Sequence, residues 1–471
     1  MTYSIQKNSY FDQPIMKSIE DIVQELWRTA RQLRQEHLTY YDYIIELSGL
    51  LFLKVAPMIN MATSLPAYLN WNVLTGKATH EQYEYYQALL TTLGQVNDPY
   101  IAGVYSDATT HLKNQTQLAH LITVLEKNLN DLPLESFGEI YESLLERCAR
   151  EEASSPHIMP PRALIDVMTI LTQPEKDECV YDPLAGTASF LTAANQYARV
   201  ASEELSPPYP AKYPDKTSCL GIEPDLSQQR LALINCLLHR ITTIPLPVQW
   251  SDSLLTTIPN LSADVILSML VLPEERKNEL PRYDLALTLL QHIYRTLKPY
   301  GRAAVIVPDR ILQTAGPAQQ IRRELLDTCS VHTVLRLPEG IFYPHQIPAH
   351  VLFFKRGASH STNNTQQTWF YDLRSHFPHF GRYLYLTREH LMPFEIAYGD
   401  DPFGESPRTD EGVTGRWRCL SRENLAKQED RLDYCWLQTQ KLPSQVHAND
   451  IWQVLESTVE ELQAIKVILE K

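Results

Sequence analysis

The chain is 471 residues long, with 44% hydrophobic and 21% charged residues, enough for two or three domains with substantial cores. Its 56 acidic side chains outnumber 42 Lys and Arg, for a formal net charge of −14. That balance argues against a protein that grips nucleic-acid phosphates by itself, because nonspecific affinity of that kind comes from Lys and Arg.

The first segment, to about residue 130, reads as helical. Ile19, Ile22, Leu26, Ala30 and Leu33 recur at three- and four-residue steps, and Tyr43 to Val55 continues an apolar face. Residues 1–130 are therefore expected to form an all-α domain. From about 135 to 395 the pattern becomes an alternation of strands and helices. Strands are predicted at Val180–Tyr181, Leu220–Glu223, Asp264–Ser268, Ala303–Val307, Val331–Leu335 and Val351–Lys355. Such alternation implies a mostly parallel, doubly wound α/β domain over residues 131–398. The stretch from Gly399 to Gly415, rich in Gly, Pro, Asp and Ser, reads as a surface excursion or linker, and 399–471 as linker plus a C-terminal helical region. In its last part Ile451, Leu455, Val459, Leu462, Ile465 and Leu469 keep a three-four spacing, which fits either one more packed surface helix or a contact seam. The seven cysteines form no CxxC pair and no zinc-like spacing with His, so reduced, buried side chains are expected. The longest apolar run, Leu50 to Ile59, is broken by Lys54 and Pro57, and no amino-terminal signal pattern is present, so a soluble, cytoplasmic protein without a membrane span is expected.

Four strand ends carry the chemistry. Cys179 to Leu191 is a short strand ending at Asp182, a small-residue turn through Ala185, Gly186 and Thr187, and a helix start, a pattern that lets a ligand approach backbone N–H groups. Alone, such a turn is more often ordinary strand–turn–helix than ligand site. The second strand ends in Glu223, placed where a ribose hydroxyl pair would want an acceptor, and Asp252 follows the third, suited to an adenine amino group. Singly, each reads as a solvated acid at a strand end; their order relative to Asp182 favours a nucleotide-like ligand. After the fourth strand come Met269, Leu270, Val271 and Leu272, none of which accepts a hydrogen bond through its side chain or stacks as an aromatic.

Further segments carry a resemblance over almost the whole length: Leu26-Trp27-Arg28, Glu46 to Lys54, Phe137 to Leu145, Arg230 to His239, Gly301 to Asp309, Arg336 to Tyr343 and Tyr371 to Arg374. With these the chain resembles the modification (M) subunits of type I restriction-modification enzymes, an N6-adenine DNA methyltransferase family, and is most similar to their K-type branch. The resemblance implies a doubly wound, Rossmann-like methyltransferase domain and S-adenosylmethionine as cofactor, held by Asp182, Ala185, Gly186, Thr187, Glu223 and Asp252. It implies that Ile158 to Arg162 closes over the cofactor's methionine end. Pro161 and Arg162 keep the family's pattern there, while its aromatic and threonine are missing, so weakened affinity is expected, with Met159 filling the aromatic's volume. The K-type branch tolerates Ala188 in the turn. A specificity (S) subunit reached by the C-terminal helix, a second M subunit and a restriction (R) subunit are the implied partners, with duplex DNA met through the complex.

In that family the four residues after the fourth strand are Asn-Pro-Pro-Phe or Asn-Pro-Pro-Tyr, whose acceptor and ring hold a flipped-out adenine. This chain has Met269 to Leu272 instead, and a helix near Tyr283 follows almost at once. Ser206-Pro207-Pro208-Tyr209 satisfies the general acceptor-Pro-Pro-aromatic string, but no strand precedes it to aim it. Two readings result. One is a catalytically silent or impaired M-like subunit, because losing one preorganised acceptor costs roughly two to three orders of magnitude in rate. The other is an active N6-adenine methyltransferase with its acceptor supplied by Ser268 or the Ser206 segment.

Overall fold

Polar caps start the first helices. The Ser18 hydroxyl accepts from the Asp21 N–H at the head of α1 (Ile19–Gln35), and Thr39 does the same with Asp42 for α2 (Tyr40–Val55), each acid answering the cap in return. Behind the caps Ile22, Leu26, Ala30 and Leu33 are buried as their spacing predicts, and most of α2 is buried as well. α3 (Trp71–Gly76), α4 (Thr79–Leu93), α5 (Pro99–Tyr105) and α6 (Gln115–Leu129) complete an amino-terminal helical layer. These elements belong to a computed structural model that describes residues 18–59, 68–130, 132–152, 158–201, 218–243, 245–254, 261–272 and 282–437. Ser206 to Tyr209 and Ile451 to Leu469 lie outside the described residues.

α7 (Leu134–Glu151) and α8 (Arg162–Thr172) lead into a nine-stranded sheet. Its strands are β1 (Cys179–Asp182), β2 (Ser218–Glu223), β3 (Val248–Trp250), β4 (Ala263–Met269), β5 (Leu297–Pro308), β6 (Cys329–Arg336), β7 (Ala349–Arg356), β8 (Gln367–Asp372) and β9 (Trp417–Ser421). The helices between them are α9 (Ser189–Ala201), α10 (Leu226–Leu238), α11 (Arg282–Thr296), α12 (Asp309–Gln313), α13 (Pro317–Thr328) and α14 (Arg388–Tyr398), with α15 (Arg422–Lys427) after β9. All six predicted strands are present, β3 supplies the third strand end expected before Asp252, and β8 and β9 add to them.

The sheet order is β3-β2-β1-β4-β5-β7-β6-β8-β9. β1, β2, β3, β4 and β5 pair in parallel, β7 runs antiparallel to β5 and β6, and β6 and β8 are again parallel. Because β7 reverses twice, the carboxyl ends of β1, β2, β4, β5, β6 and β8 share one edge. The chain reverses its direction of travel across the sheet between β1 and β4, and ligands of doubly wound sheets bind outside the strand ends at such a switch point.

Both faces of the sheet are covered. Val265, Leu267, Ala304, Ile306, Val351 and Phe353 join one continuous core with α1, α2 and α7, while Ile266, Val305, Leu352 and Phe354 pack with α11 and α13 on the other side. Tyr100 of the helical layer donates its hydroxyl to the Leu233 carbonyl of α10 at 2.8 Å, so the layer is bonded to the α/β part as well as packed on it.

The stretch 399–415, expected as a surface excursion or linker, has no buried residue and is also bonded to the sheet. Arg408 donates to Thr333 Oγ1 at 2.8 Å and to the Tyr398 carbonyl, and the stretch feeds β9. Asp410 and Glu411 accept from the Cys419 and Trp417 N–H groups, capping the free edge of β9 with carboxylates. Four of the seven unpaired cysteines are buried as expected, but Cys435 is exposed. Among the described residues no helix is long and apolar enough to cross a membrane.

Candidate cofactor and active site

β1 delivers Asp182 to the switch point, where it is 1% exposed. The Ser268 hydroxyl of β4 donates to its Oδ1 at 2.7 Å and the Leu184 N–H donates at 3.0 Å. Burial pushes the carboxyl up to about 7, against the lowering effect of those two donors. The turn that follows bends at Gly186, whose φ of +54° suits a residue without Cβ, and the space a Cβ would occupy there is open. Ala188 also has a left-handed φ, +64°, at a fully buried position.

Glu223, at the end of β2, reaches this turn. Its Oε2 accepts from the Gly186 N–H at 2.8 Å and its Oε1 from the Asp225 N–H at 2.9 Å. Burial raises this carboxyl too, to about 7. Asp252 follows β3, is half-buried, and accepts from the Leu254 N–H at 2.9 Å. Gly186 and Glu223 are thus bonded directly, Asp182 holds the same turn through the Leu184 N–H, and Asp252 sits at the end of the next strand, joined through the Ser251 N–H to the Glu223 carbonyl at 3.1 Å. An open approach over Gly186 beside a buried acid fits a neutral, hydroxyl-bearing group such as a ribose.

On the other flank Thr187 is buried, its hydroxyl 3.2 Å from Ser189 Oγ and 4.0 Å from Met159 Sδ. Met159 therefore reaches the turn as an apolar filler, two residues before Pro161, the half-buried N-cap of α8. Sequence reasoning missed the side chains that brace Thr187. Asn235 of α10 donates to its carbonyl at 2.9 Å, and Glu142 of α7 accepts from Thr192 at 2.7 Å and pairs with Arg162. Burial lowers the neighbouring His239 to about 4, leaving it neutral near pH 7. Both Asn235 and Glu142 stand in segments that carried the resemblance, which was the available signal.

The end of β4 differs from these acids in kind. Leu270 is fully buried, Val271 is 2% and Met269 8% exposed, and Leu272 is half-buried. The Leu270 N–H donates to the Ile306 carbonyl at 2.8 Å, extending the β4–β5 ladder one residue past the strand. Met269 and Val271 pack into one core and Leu270 into the other. Ser268 is fully buried and its hydroxyl is engaged by Asp182.

Residues 134–437 match the N-6 DNA methylase family. The methylase subunit of the type I restriction enzyme StySPI from Salmonella potsdam is 33% identical over 464 residues, covering 88% of each chain. Among solved structures, the M protein of the type I restriction enzyme EcoKI aligns over 96% of both chains at 30% identity with a TM-score of 0.55. A chain from a study of complex assembly in the type I restriction-modification system covers 96% of this chain and 98% of its own, with a TM-score of 0.70 at 22% identity, a likeness of fold.

Proposed function

Because the chain belongs to the N-6 DNA methylase family and, within it, to the type I restriction enzyme methylase subunits, we propose that it is a subunit of that kind which holds S-adenosylmethionine while its own methyl transfer to adenine is silent or strongly impaired. The observation that carries this reading is the apolar, buried end of β4, where Met269, Leu270 and Val271 fill core space. The exocyclic amine of adenine is a poor nucleophile, since its lone pair is delocalised into the ring. A side-chain acceptor that localises that pair is absent at 269–272, and a ring to hold the flipped base is absent with it. Ser268 is a poor substitute because its hydroxyl already donates to Asp182.

Asp182, Ala185, Gly186, Thr187, Glu223 and Asp252 would hold the cofactor, with Pro161 and Met159 over its methionine end. When bound, S-adenosylmethionine supplies an electrophilic methyl group. Glu223 takes the ribose hydroxyls, Asp252 the adenine amino group, and Gly186 leaves room for both to approach. In this reading the chain assembles in the cytoplasm with a specificity subunit and a second methylase subunit, with a restriction subunit as a further partner, and meets duplex DNA through that assembly.

The test is to incubate DNA with the chain, its specificity subunit and S-adenosylmethionine, digest to nucleosides and measure N6-methyladenine by mass spectrometry. No increase over an Asp182→Ala preparation is expected. A robust increase abolished by Tyr209→Ala would assign catalysis to the Ser206 segment.

A further inference from the structure

In a chain of net charge −14, residues 373–388 contain no acid. They hold Arg374, His376, His379, Arg382 and Arg388, interleaved with Phe377, Phe380, Tyr383 and Tyr385. This segment leaves the carboxyl end of β8, on the same sheet edge as Asp182 and Glu223. Its root is rigid. Arg374 donates to Asp309 at 2.6 Å and 3.1 Å and to the Leu337 carbonyl at 2.8 Å, and His350 adds a bond to the same carboxylate at 2.9 Å. Phe380 is buried against His390, and its carbonyl stands where any Cβ at Gly340 would lie, so Gly340, with φ +79°, is required there.

The tip is presented outward. Tyr383 is 88% exposed, Arg382 and Tyr385 are exposed beside it, and the Tyr385 hydroxyl donates to the Arg382 carbonyl at 2.5 Å. The other arginines of the segment are paired, Arg374 with Asp309 at 2.6 Å and Arg388 with Glu395 at 3.0 Å, and His379 lies 3.7 Å from Glu339. Arg382 has no carboxylate within ion-pair distance among the described residues and lies over the Tyr383 ring at 5.7 Å. From α7, Arg150 stacks on the Tyr385 ring at 4.2 Å. Arg150, Met159, Pro161 and Tyr343 line one small cavity, and Met159 touches Thr187 of the turn after β1, so one cavity borders both the residue that stacks on the tip and the residue that reaches that turn.

One guanidinium without a carboxylate partner among the described residues, Arg382, flanked by the exposed rings of Tyr383 and Tyr385 on a braced loop at the ligand edge of the sheet, fits a polyanion that also offers flat faces for stacking; Arg150, which joins them from α7, lies 4.0 Å from Glu146. We propose that Arg382, Tyr383 and Tyr385, with Arg150, form a nucleic-acid contact in which Arg382 meets a backbone phosphate and Tyr383 stacks on an unpaired base beside the cofactor site. The inference rests on the reading that the chain works against DNA, and it does not depend on methyl transfer. Contact is weak in the isolated chain, whose overall charge repels DNA, and shows at low ionic strength.

The experiment is fluorescence anisotropy of the full chain with a labelled mixed-sequence duplex, intact or carrying one unpaired base, between about 50 and 200 mM salt. Arg382→Ala should lower the slope of log affinity against log salt by about one, whereas Ala at the exposed Lys427 of α15 leaves it unchanged. Tyr383→Ala should weaken binding of the unpaired-base probe about fivefold or more, with Tyr383→Phe retaining it. Absence of binding at low salt, an Arg382→Ala slope equal to that of the Lys427 variant, or equal competition by an acidic peptide matched in charge would overturn the proposal, the last in favour of a protein-docking surface. Methyl transfer is read in a separate assay, so failure of this contact and failure of the silent-subunit reading are distinguishable.

Discussion

The ends of β1 and β2 and the end of β4 meet at one switch point and have opposite character. Asp182 and Glu223 are polar groups kept inside, each satisfied by two donors from the turn or a neighbouring strand, at the expense of carboxyls pushed up to about 7. Met269 to Val271 are apolar groups that extend the sheet and fill its two cores. Buried acids are tolerated where hydrogen-bond donors satisfy them, because an unsatisfied buried carboxyl is costly. A loop without an acceptor has no such requirement and settles into packing. The contrast teaches that one sheet edge can carry buried, hydrogen-bonded acids beside a strand end that is wholly apolar and packed.

The largest effect that would sharpen this contrast comes from placing Asn-Pro-Pro-Phe at 269–272. Proline at 270 removes the N–H that bonds Ile306, and asparagine at 269 buries an amide among apolar neighbours. A loss of about 3 kcal/mol or more is expected, read as a lowered denaturation midpoint, with at most partial methyl transfer. Unchanged stability would mean that the end of β4 is not core. Next in size, Asp182→Ala or Glu223→Ala should weaken S-adenosylmethionine binding about ten- to a hundredfold in calorimetric titration, the worth of a charged hydrogen-bond partner. A flat titration of the unaltered chain at high ligand would remove the cofactor from the account.

A smaller effect follows from the raised acids. Asp182 titrates near 7 when folded and near 4 when unfolded. Between those values the folded state binds more protons, so the group's contribution to stability falls as pH rises through the window and levels off above it. Asp182→Asn removes that slope. The melting temperature of the variant relative to the native chain should therefore climb from about pH 4 to about pH 7 and then plateau, and a constant difference would contradict the buried placement. Smallest of all, Ala188→Gly should stabilise the turn by less than about 1 kcal/mol, since relief of the left-handed φ is partly offset by the entropy of glycine.

Much of this was legible in the sequence, for physical reasons. The runs at Asp264–Ser268, Ala303–Val307 and Val351–Lys355 are strand-forming and bounded by turns, and they became β4, β5 and β7. The acids Asp182 and Glu223 and the turn at Gly186 could be ordered because each follows directly on a strand. β3 is three residues long, too short to show a period, so only the acid just past its end, Asp252, marked it, and β9 is preceded by a Gly- and Pro-rich stretch that signals a loop. Contacts such as Ser268 to Asp182 and Asn235 to Thr187 join residues 86 and 48 positions apart, and no local pattern encodes them. The exposure of Tyr383 likewise depends on where Phe380 and Gly340 lock the loop.

The central claim is most directly tested by counting labelled methyl groups transferred from S-adenosylmethionine to DNA by the complex reconstituted from this chain and its specificity subunit, against the same complex carrying Asp182→Ala. The account predicts equal, background counts from the two preparations, alongside cofactor binding by the unaltered chain. Robust incorporation by the unaltered chain that disappears in Asp182→Ala would contradict it and show that the buried apolar end of β4 does not silence the site.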